Sequence, residues 1–483
     1  MKRIPLLLIG FGAHAKRIYY KIAKRDGDTY GFHIAAALDV AAKKPDIETF
    51  LSRENDTTTA MYYTSGRDRT DGYVSPVLKK TLHEIVKNHG IRGVIIATDP
   101  VAHMAYARWA LSEGLSILMD KPVSVHNHVS TDLHLPKLFL ADYQSLLRHY
   151  DRQKQKYHGL LFSLMAQRRF HPAFQKIKSL IAEVQERTNC PFTSIQSFHG
   201  DGQWRLPDEL TTIRYHGYTD GYGKCSHSGY HFFDTLAWLL EAGEGKDKKL
   251  DGVDISVNVV RPIDYLAQLT PADYQKIFHD RKISRVPQKL RDFGEIDAFC
   301  SFAFKQQSKT LTLGSINLAH NSFSQRGWYS TVGKDLYKGN GRLRHETHII
   351  EQGPFQAIEF ISLQSEEVQP AHTTNLYEPG GEYHLDMHVF RNHALFPNWK
   401  SYEKISIADL TNRELENRSR GHQEDARRNA VLEFVASLQG KKITPLSDFS
   451  DHKRSTILMT GVYQSMANKF SGKESAVTLS FKK

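Results

Sequence analysis

Gly10-Phe11-Gly12-Ala13-His14-Ala15 is the first run of the chain whose residue types and spacing suit a definite chemistry. G-x-G-x-x-A is the alanine-ended form of a dinucleotide-binding turn. Its first glycine permits a tight bend, its second lets the backbone approach a pyrophosphate, and its small third residue lets a helix pack on a strand. Asp39 falls where a carboxylate accepts hydrogen bonds from the adenosine ribose, which points to NAD; Lys43 and Lys44, close behind, keep NADP as the alternative. Thr98, Asp99 and Lys121 each follow a short apolar run, where cofactor and substrate meet in an open parallel sheet. His227 and His231 share a helical face, but no glutamate follows His227 and no third ligand is evident, so no metal is expected. Trp204-Arg205 and the stretch 215–224 mix aromatic and hydrogen-bonding groups as carbohydrate sites do.

These residues need elements to position them. Ile4–Ile9 reads as a buried strand, and residues 18, 19, 22 and 23 form a helical stripe after the glycine turn. Ile34–Leu38 is a second strand, ending at Asp39, so about forty residues compose a βαβ unit. Met1 to Ala15 imitates a signal peptide, but the second half of that unit marks the segment as mature protein. The alternation continues with a helix carrying Val77, Leu78, Leu82, Ile85 and Val86 on one face, a strand at 93–97, a helix from His103 to Glu113 stopped by Gly114, and a strand at 116–119. Leu138–Arg152 is a helix. Beyond it, strand-like runs recur at 159–165, 192–198, 253–260, 296–304, 310–318, 342–350 and 356–363. The run Thr310 to Leu318 alternates with period two, as a half-solvated antiparallel strand does. Helices at His231–Glu241 and Glu424–Gln439, the latter with Ala430, Val431, Phe434, Val435 and Leu438 inward, are expected to cover that second sheet.

Composition sets the bounds. Hydrophobic residues are 40% of 483 and charged residues 24%, a globular balance, and no apolar run approaches the roughly 18 residues of a membrane span. A net charge of +11 suits an anionic cofactor or substrate; no helix-turn-helix or basic aromatic platform supports nucleic acid. Arg168, Arg169 and Arg205 are candidates for recognising an anionic substrate group. Three dispersed cysteines, Cys190, Cys225 and Cys300, indicate neither a disulfide framework nor a zinc cluster, which suits a reducing cytoplasm.

Taken in order, Gly10 to Ala15, Thr98-Asp99-Pro100-Val101-Ala102-His103, Asp120-Lys121-Pro122, Gln167 to Pro172 and His227 to Asp234 resemble the glucose-fructose oxidoreductase / inositol dehydrogenase / MocA family. The ending, 445–469 with Tyr463-Gln464-Ser465-Met466-Ala467, resembles the family's last helix. The resemblance implies a Rossmann-type NAD-binding domain over 1–152. An α+β domain with a large, mainly antiparallel open sheet follows over 153–483, its helices at 422–469 packing back on the core. It also implies a homodimer or homotetramer and a sugar-like small-molecule substrate, with neither a membrane nor nucleic acid as partner.

By the same resemblance, Gly10, Phe11, Gly12, Ala13, His14, Ala15, Asp39, Thr98, Asp99, His103, Asp120 and Lys121 hold the cofactor. His231 is the base, Lys121 bonds the same substrate oxygen, and Arg169, Trp204, Arg205 and His231 touch substrate. The family's Glu-Lys-Pro is Asp120-Lys121-Pro122 here. Its aspartate four residues before the catalytic histidine is His227, which leaves Asp234 as a partial substitute at the catalytic centre. Three segments look longer than in the family: 45–75, 127–138 and 244–292. The implied activity is an NAD-dependent dehydrogenase of a secondary hydroxyl in a sugar, cyclitol or derivative. A redox-silent nucleotide-binding sensor and an NAD-dependent glycosidase are the alternatives.

Overall fold

The computed structural model describes residues 3–70, 72–213, 217–278, 290, 292–324, 342–365, 376–411 and 421–482. The chain forms two compact units: 1–125 with 139–170 and 423–453, and 126–138 with 171–422 and 454–483.

The first unit is a parallel sheet flanked by helices. Its strands are β1 (Ile4–Ile9), β2 (Phe32–Val40), β3 (Ala60–Thr64), β6 (Gly93–Ile96), β7 (Ser116–Met119) and β8 (Phe162–Leu164); a small hairpin, β4 (Arg69–Thr70) and β5 (Tyr73–Val74), lies outside the sheet. The order is β3-β2-β1-β6-β7-β8, so the chain reverses direction across the sheet beside β1, as in a doubly wound nucleotide-binding fold. The strands read as apolar runs because both faces are covered: Leu6, Leu7, Leu8, Val94, Ile96 and Ile117 have no exposed surface. Helix Pro76–His89 starts on the Ser75 side chain, which accepts from Leu78 N, and ends at Gly90 in the left-handed region. Leu78, Leu82 and Ile85 face inward, whereas Val77, expected on that face, is 74% exposed in the helix's first turn.

Two expectations change here. The strand within 159–165, expected in the second sheet, pairs in parallel with β7 in the first. The helix His422–Leu438 buries Ala430, Val431, Phe434 and Val435 as expected, but against Leu6, Leu8, Phe32 and Ile95 of the first sheet. Each of these larger side chains contributes about 1.5–3 kcal/mol on burial, so this late segment is part of the nucleotide-fold core.

The second unit is built on a nine-stranded sheet. It comprises β9 (Ser194–Gly200), β10 (Gly252–Val260), β11 (Asp297–Gln306), β12 (Lys309–Ala319), β13 (Arg344–Gln352), β14 (Gln356–Gln364), β15 (Asp386–Arg391), β16 (Tyr402–Ser406) and β17 (Val477–Ser480). The order is β16-β15-β14-β13-β9-β12-β11-β10-β17, antiparallel except for the β9–β12 pair. Alternation along β11 and β14 buries one face. The other face leaves Phe299, Leu313 and Phe390 exposed. The fold class expected from the sequence, a Rossmann-type unit plus an α+β unit with a large, mainly antiparallel sheet, is the observed one. Among the described residues no helix is long and apolar enough to cross a membrane.

Candidate functional site

In the first unit the site begins where β1 ends. Gly10 has φ +92°, and a Cβ there would lie 2.5 Å from the Ala97 carbonyl oxygen, so only glycine fits. Gly12 is different: its φ of −76° is ordinary, and a Cβ would meet only Lys43 Nζ, at 3.7 Å. The space beside Gly12 is therefore open to the backbone. From Ala13 the chain is helical to Tyr30, through a π-helical turn at Lys16–Tyr20. Ala15 is fully buried against the sheet, and the helix start at Gly12, which no side chain caps, carries the positive end of the helix dipole.

Asp39, at the end of β2, is the organiser of this turn. Its Oδ2 accepts from Phe11 N at 2.7 Å and its Oδ1 from Val40 N at 2.6 Å, with Lys43 Nζ 3.8 Å away. The Phe11 ring itself is buried between Tyr20 and Phe50, so only its backbone faces the opening.

The ends of β6 and β7 lie beside this turn. Thr98 is half-buried and Asp99 is exposed, its Oδ1 accepting from Val101 N at 3.3 Å. His103 has no exposed surface; Nδ1 lies 2.8 Å from Pro122 O and Nε2 3.2 Å from Thr98 O. Burial lowers its pKa, and the two carbonyl oxygens oppose that shift. His103 thus ties the Asp120-Lys121-Pro122 segment to the end of β6 rather than presenting its ring to a cofactor. Asp120 receives the Tyr19 hydroxyl and lies 3.6 Å from His14 Nε2; burial raises its carboxyl to about 6, opposed by that Tyr19 bond and by the charges of Lys121 and Arg427. Lys121 is half-buried at the carboxyl end of β7. Tyr19 and Arg427 were invisible to sequence reasoning, since neither belongs to a motif and Arg427 arrives on the late helix.

Arg169, expected at the substrate, is buried inside this unit, its guanidinium donating to Leu446 O at 3.3 Å and Asp451 O at 3.4 Å. Arg168 is also buried.

In the second unit, a π-helical turn Cys225–Gly229 leads into helix Tyr230–Ala242. From 224 to 240 every residue is buried except His227, Ser228 and His231, which form its open face. The His227 ring packs 5.4 Å from Tyr222. Asp234 is buried and accepts from Ser455 Oγ at 2.9 Å, which fastens the helix to Lys453–Phe470. Glu295 fixes the start of the turn, accepting from Cys225 N at 2.9 Å, Tyr463 Oη at 2.9 Å and Ser130 Oγ at 2.7 Å.

Beside this turn lies a buried polar cluster: Arg205, Tyr218 and Lys224 fall in the stretches the sequence singled out, whereas His199, Asp201 and His320 do not. Lys224 Nζ is 2.6 Å from Asp201 Oδ2 and 3.1 Å from His199 Nδ1. His320 Nδ1 meets Tyr218 Oη at 2.6 Å, and the Arg205 guanidinium covers the Tyr218 ring at 4.7 Å. Burial pulls the Lys224 pKa down while Asp201 pushes it up. The parallel register that sets Gly200 beside Ala319 brings His199, Asp201 and His320 together from about 120 residues apart, a proximity no spacing rule could find. Trp204 stacks on Phe278 with centroids 5.8 Å apart. Residues 215 and 216 of the aromatic stretch lie outside the described residues, as do 279–289 and 291 of the third long segment. The other long segments are structured: helix Lys44–Arg53, β3 and the β4–β5 hairpin occupy the first, and in the second His128 N and Ser130 N donate to Asp220 O and Gly221 O. Among the described residues no group of three or more His, Cys, Asp or Glu could hold a metal ion.

No protein-family model and no curated protein matches the chain. Solved structures do. An inositol dehydrogenase homolog from Azotobacter vinelandii, complexed with NAD+, aligns over 99% of this chain and 98% of its own at 12% identity and a TM-score of 0.58. The aldose-aldose oxidoreductase from Caulobacter crescentus, complexed with glycerol, aligns over 99% and 100% at 13% identity and 0.54. An oxidoreductase from Agrobacterium radiobacter, in complex with NAD+, L-tartaric acid and magnesium, aligns over 99% and 98% at 13% identity and 0.56. At this identity the likeness is one of fold, and it extends over both units.

Proposed function

We propose that the chain is an NAD-dependent oxidoreductase acting on a secondary hydroxyl or keto group of a sugar, cyclitol or sugar derivative. The observation that carries the reading is the glycine turn: a bend at Gly10 that admits no side chain, an open approach at Gly12, a helix start behind it and Asp39 holding the turn from β2. These features fit a dinucleotide pyrophosphate. The Asp39 charge disfavours a 2′-phosphate, and Lys43 beside it is the group through which NADP would be accepted instead.

Bound NAD would supply the hydride acceptor or donor, and the protein handles position and proton. Lys121 steadies the reacting oxygen by its charge, and His231 takes or returns the hydroxyl proton. His103 is a positioning residue for the Lys121 segment, and Asp234, held by Ser455, is a positioning residue for the His231 helix. The buried hydrogen-bonding cluster around Lys224 and Tyr218 suits recognition of a polyhydroxylated substrate. Phe299, Leu313 and Phe390 on the open sheet face suit assembly into a homo-oligomer.

The test is to mix the purified protein with NAD and a panel of sugars and cyclitols and to follow reduced nicotinamide. Turnover on a panel member is the expected result. Tight NAD binding without turnover would replace the reading by a redox-silent sensor, which His227 at the family's aspartate position favours as the second reading. Cleavage of a glycosidic bond without net reduction would replace it by a glycosidase.

A further inference from the structure

A cavity of about 360 Å³ opens on the first unit between helices Pro76–His89, His103–Ser112 and Pro136–Lys156. Its wall on one side is the β4–β5 hairpin, which falls in the first of the long segments and has had no role so far. The lining is cationic: Lys79, Arg108 and Arg152 come from the three helices, joined by His149. No carboxylate occurs among the described lining residues. Hydroxyls are present in Ser112 and Ser145, and Tyr73 and the buried Trp109 give flat apolar surface.

Arg108 is held in place rather than loose. Its NH1 donates to Gly72 O at 3.0 Å, its NH2 to Ser145 Oγ at 3.3 Å, and its plane covers the Tyr73 ring at 4.5 Å. Each terminal nitrogen carries two hydrogens, so this anchored guanidinium has donors beyond those two bonds. A preorganised guanidinium flanked by a lysine and a second arginine is the arrangement that recognises phosphate. His149 registers the same positive field: burial, then Arg152, Arg108 and Lys156, hold its pKa below the usual value.

We infer that this cavity is a binding site for a small phosphorylated anion, separate from the glycine turn, with the phosphate on Lys79, Arg108 and Arg152 and its apolar portion against Tyr73 and Trp109. A phosphorylated metabolite or a free nucleotide would meet it through this shared chemistry. Because the site shares helix His103–Ser112 with the His103 contact to Pro122, occupancy has a physical route to the Lys121 segment.

The experiment is calorimetric titration of inorganic pyrophosphate, with saturating NAD keeping the glycine turn occupied, into the full chain and into Lys79→Glu/Arg152→Glu, whose two sites are exposed and whose folding is checked by thermal melting. The single variants Lys79→Ala and Arg152→Ala serve if the double variant melts early. The expected result is pyrophosphate binding that weakens at least tenfold in the double variant, and at least threefold in each single one. A pyrophosphate-induced change in tryptophan fluorescence should be present in the wild type and absent in Trp109→Phe. Equal affinity in wild type and charge variants, or no binding at about 10 mM, would overturn the inference. So would binding of a polyglutamate peptide but not of pyrophosphate, which would make the cavity a peptide-docking site.

Discussion

Gly10 and Gly12 sit two residues apart in the same turn, yet the structure gives them opposite roles, and alanine at each should separate folding from cofactor binding. At Gly10 an added Cβ lies 2.5 Å from Ala97 O and 2.7 Å from Ala97 C, both backbone atoms that cannot swing aside, at a φ of +92°. The unfavourable backbone conformation alone costs about 1–3 kcal/mol. Relief of the clash needs β1 and β6 to part, so Gly10→Ala should lose about 3 kcal/mol or more, a large share of a typical 5–15 kcal/mol stability. At Gly12 the dihedrals suit alanine and the nearest atom is the end of a flexible lysine. Gly12→Ala should therefore hold or raise stability, by up to about 1 kcal/mol, through the unfolded chain's lost entropy. Its methyl group would nevertheless fill the approach to the pyrophosphate, and NAD affinity should fall at least about tenfold, or about 1.4 kcal/mol. Urea unfolding and calorimetric NAD titration of both variants measure the two quantities. Wild-type NAD affinity in Gly12→Ala would refute the assignment of that opening, and a Gly12→Ala protein destabilised as much as Gly10→Ala would refute the geometric reasoning.

Lys121→Ala and His231→Ala should each lower turnover by about a hundredfold or more, with His227→Ala costing less and His227→Asp tolerated; steady-state rates on the best substrate check this, and wild-type turnover in both of the first two would rule the mechanism out. NAD should bind more tightly than NADP, and Asp39→Asn, which keeps an acceptor for Phe11 N while removing the charge, should shift the NADP-to-NAD affinity ratio about tenfold toward NADP; an unchanged ratio would move the discrimination to Lys43. Burial raises Glu433 to about 7, so its contribution to stability is full at pH 4 and is lost as pH climbs through 7. Glu433→Gln, still able to accept from Leu446 N, should flatten the stability–pH curve between pH 5 and 8 by about 1 kcal/mol, discounted because the side chain is only partly buried; urea midpoints at the two pH values would contradict this if the variant kept the wild-type slope.

The legible part of the molecule was the part written locally. Ile4 to Ala15 carries strand, turn and helix start within a dozen residues, and Thr310 to Leu318 alternates with the period of the sheet it occupies. Long-range partnership was not legible. The stripe Ala430, Val431, Phe434, Val435 names the buried face of a helix, but a stripe does not say which sheet it meets, and that helix covers the nucleotide sheet. Strand β3 hid in a supposed insertion because Ala60-Met61-Tyr62-Tyr63-Thr64 is partly buried and shows no period-two pattern. The Lys224–Asp201–His199 cluster depends on strand register and on a turn pinned by Glu295, neither of which leaves a mark in residue spacing. Arg169 looked like a substrate residue from its motif, whereas its guanidinium spans to Leu446 and Asp451, carbonyls some 280 positions later.

Hydride transfer is the central claim, and isotope transfer tests it most directly. A panel substrate carrying deuterium at its carbinol carbon is incubated with the protein and NAD, and the reduced cofactor is weighed by mass spectrometry. Reduced nicotinamide carrying the substrate's deuterium is the expected product, lost when Lys121→Ala replaces the wild type. Bound but unreduced NAD across the whole panel, or reduced cofactor without the label, would contradict it.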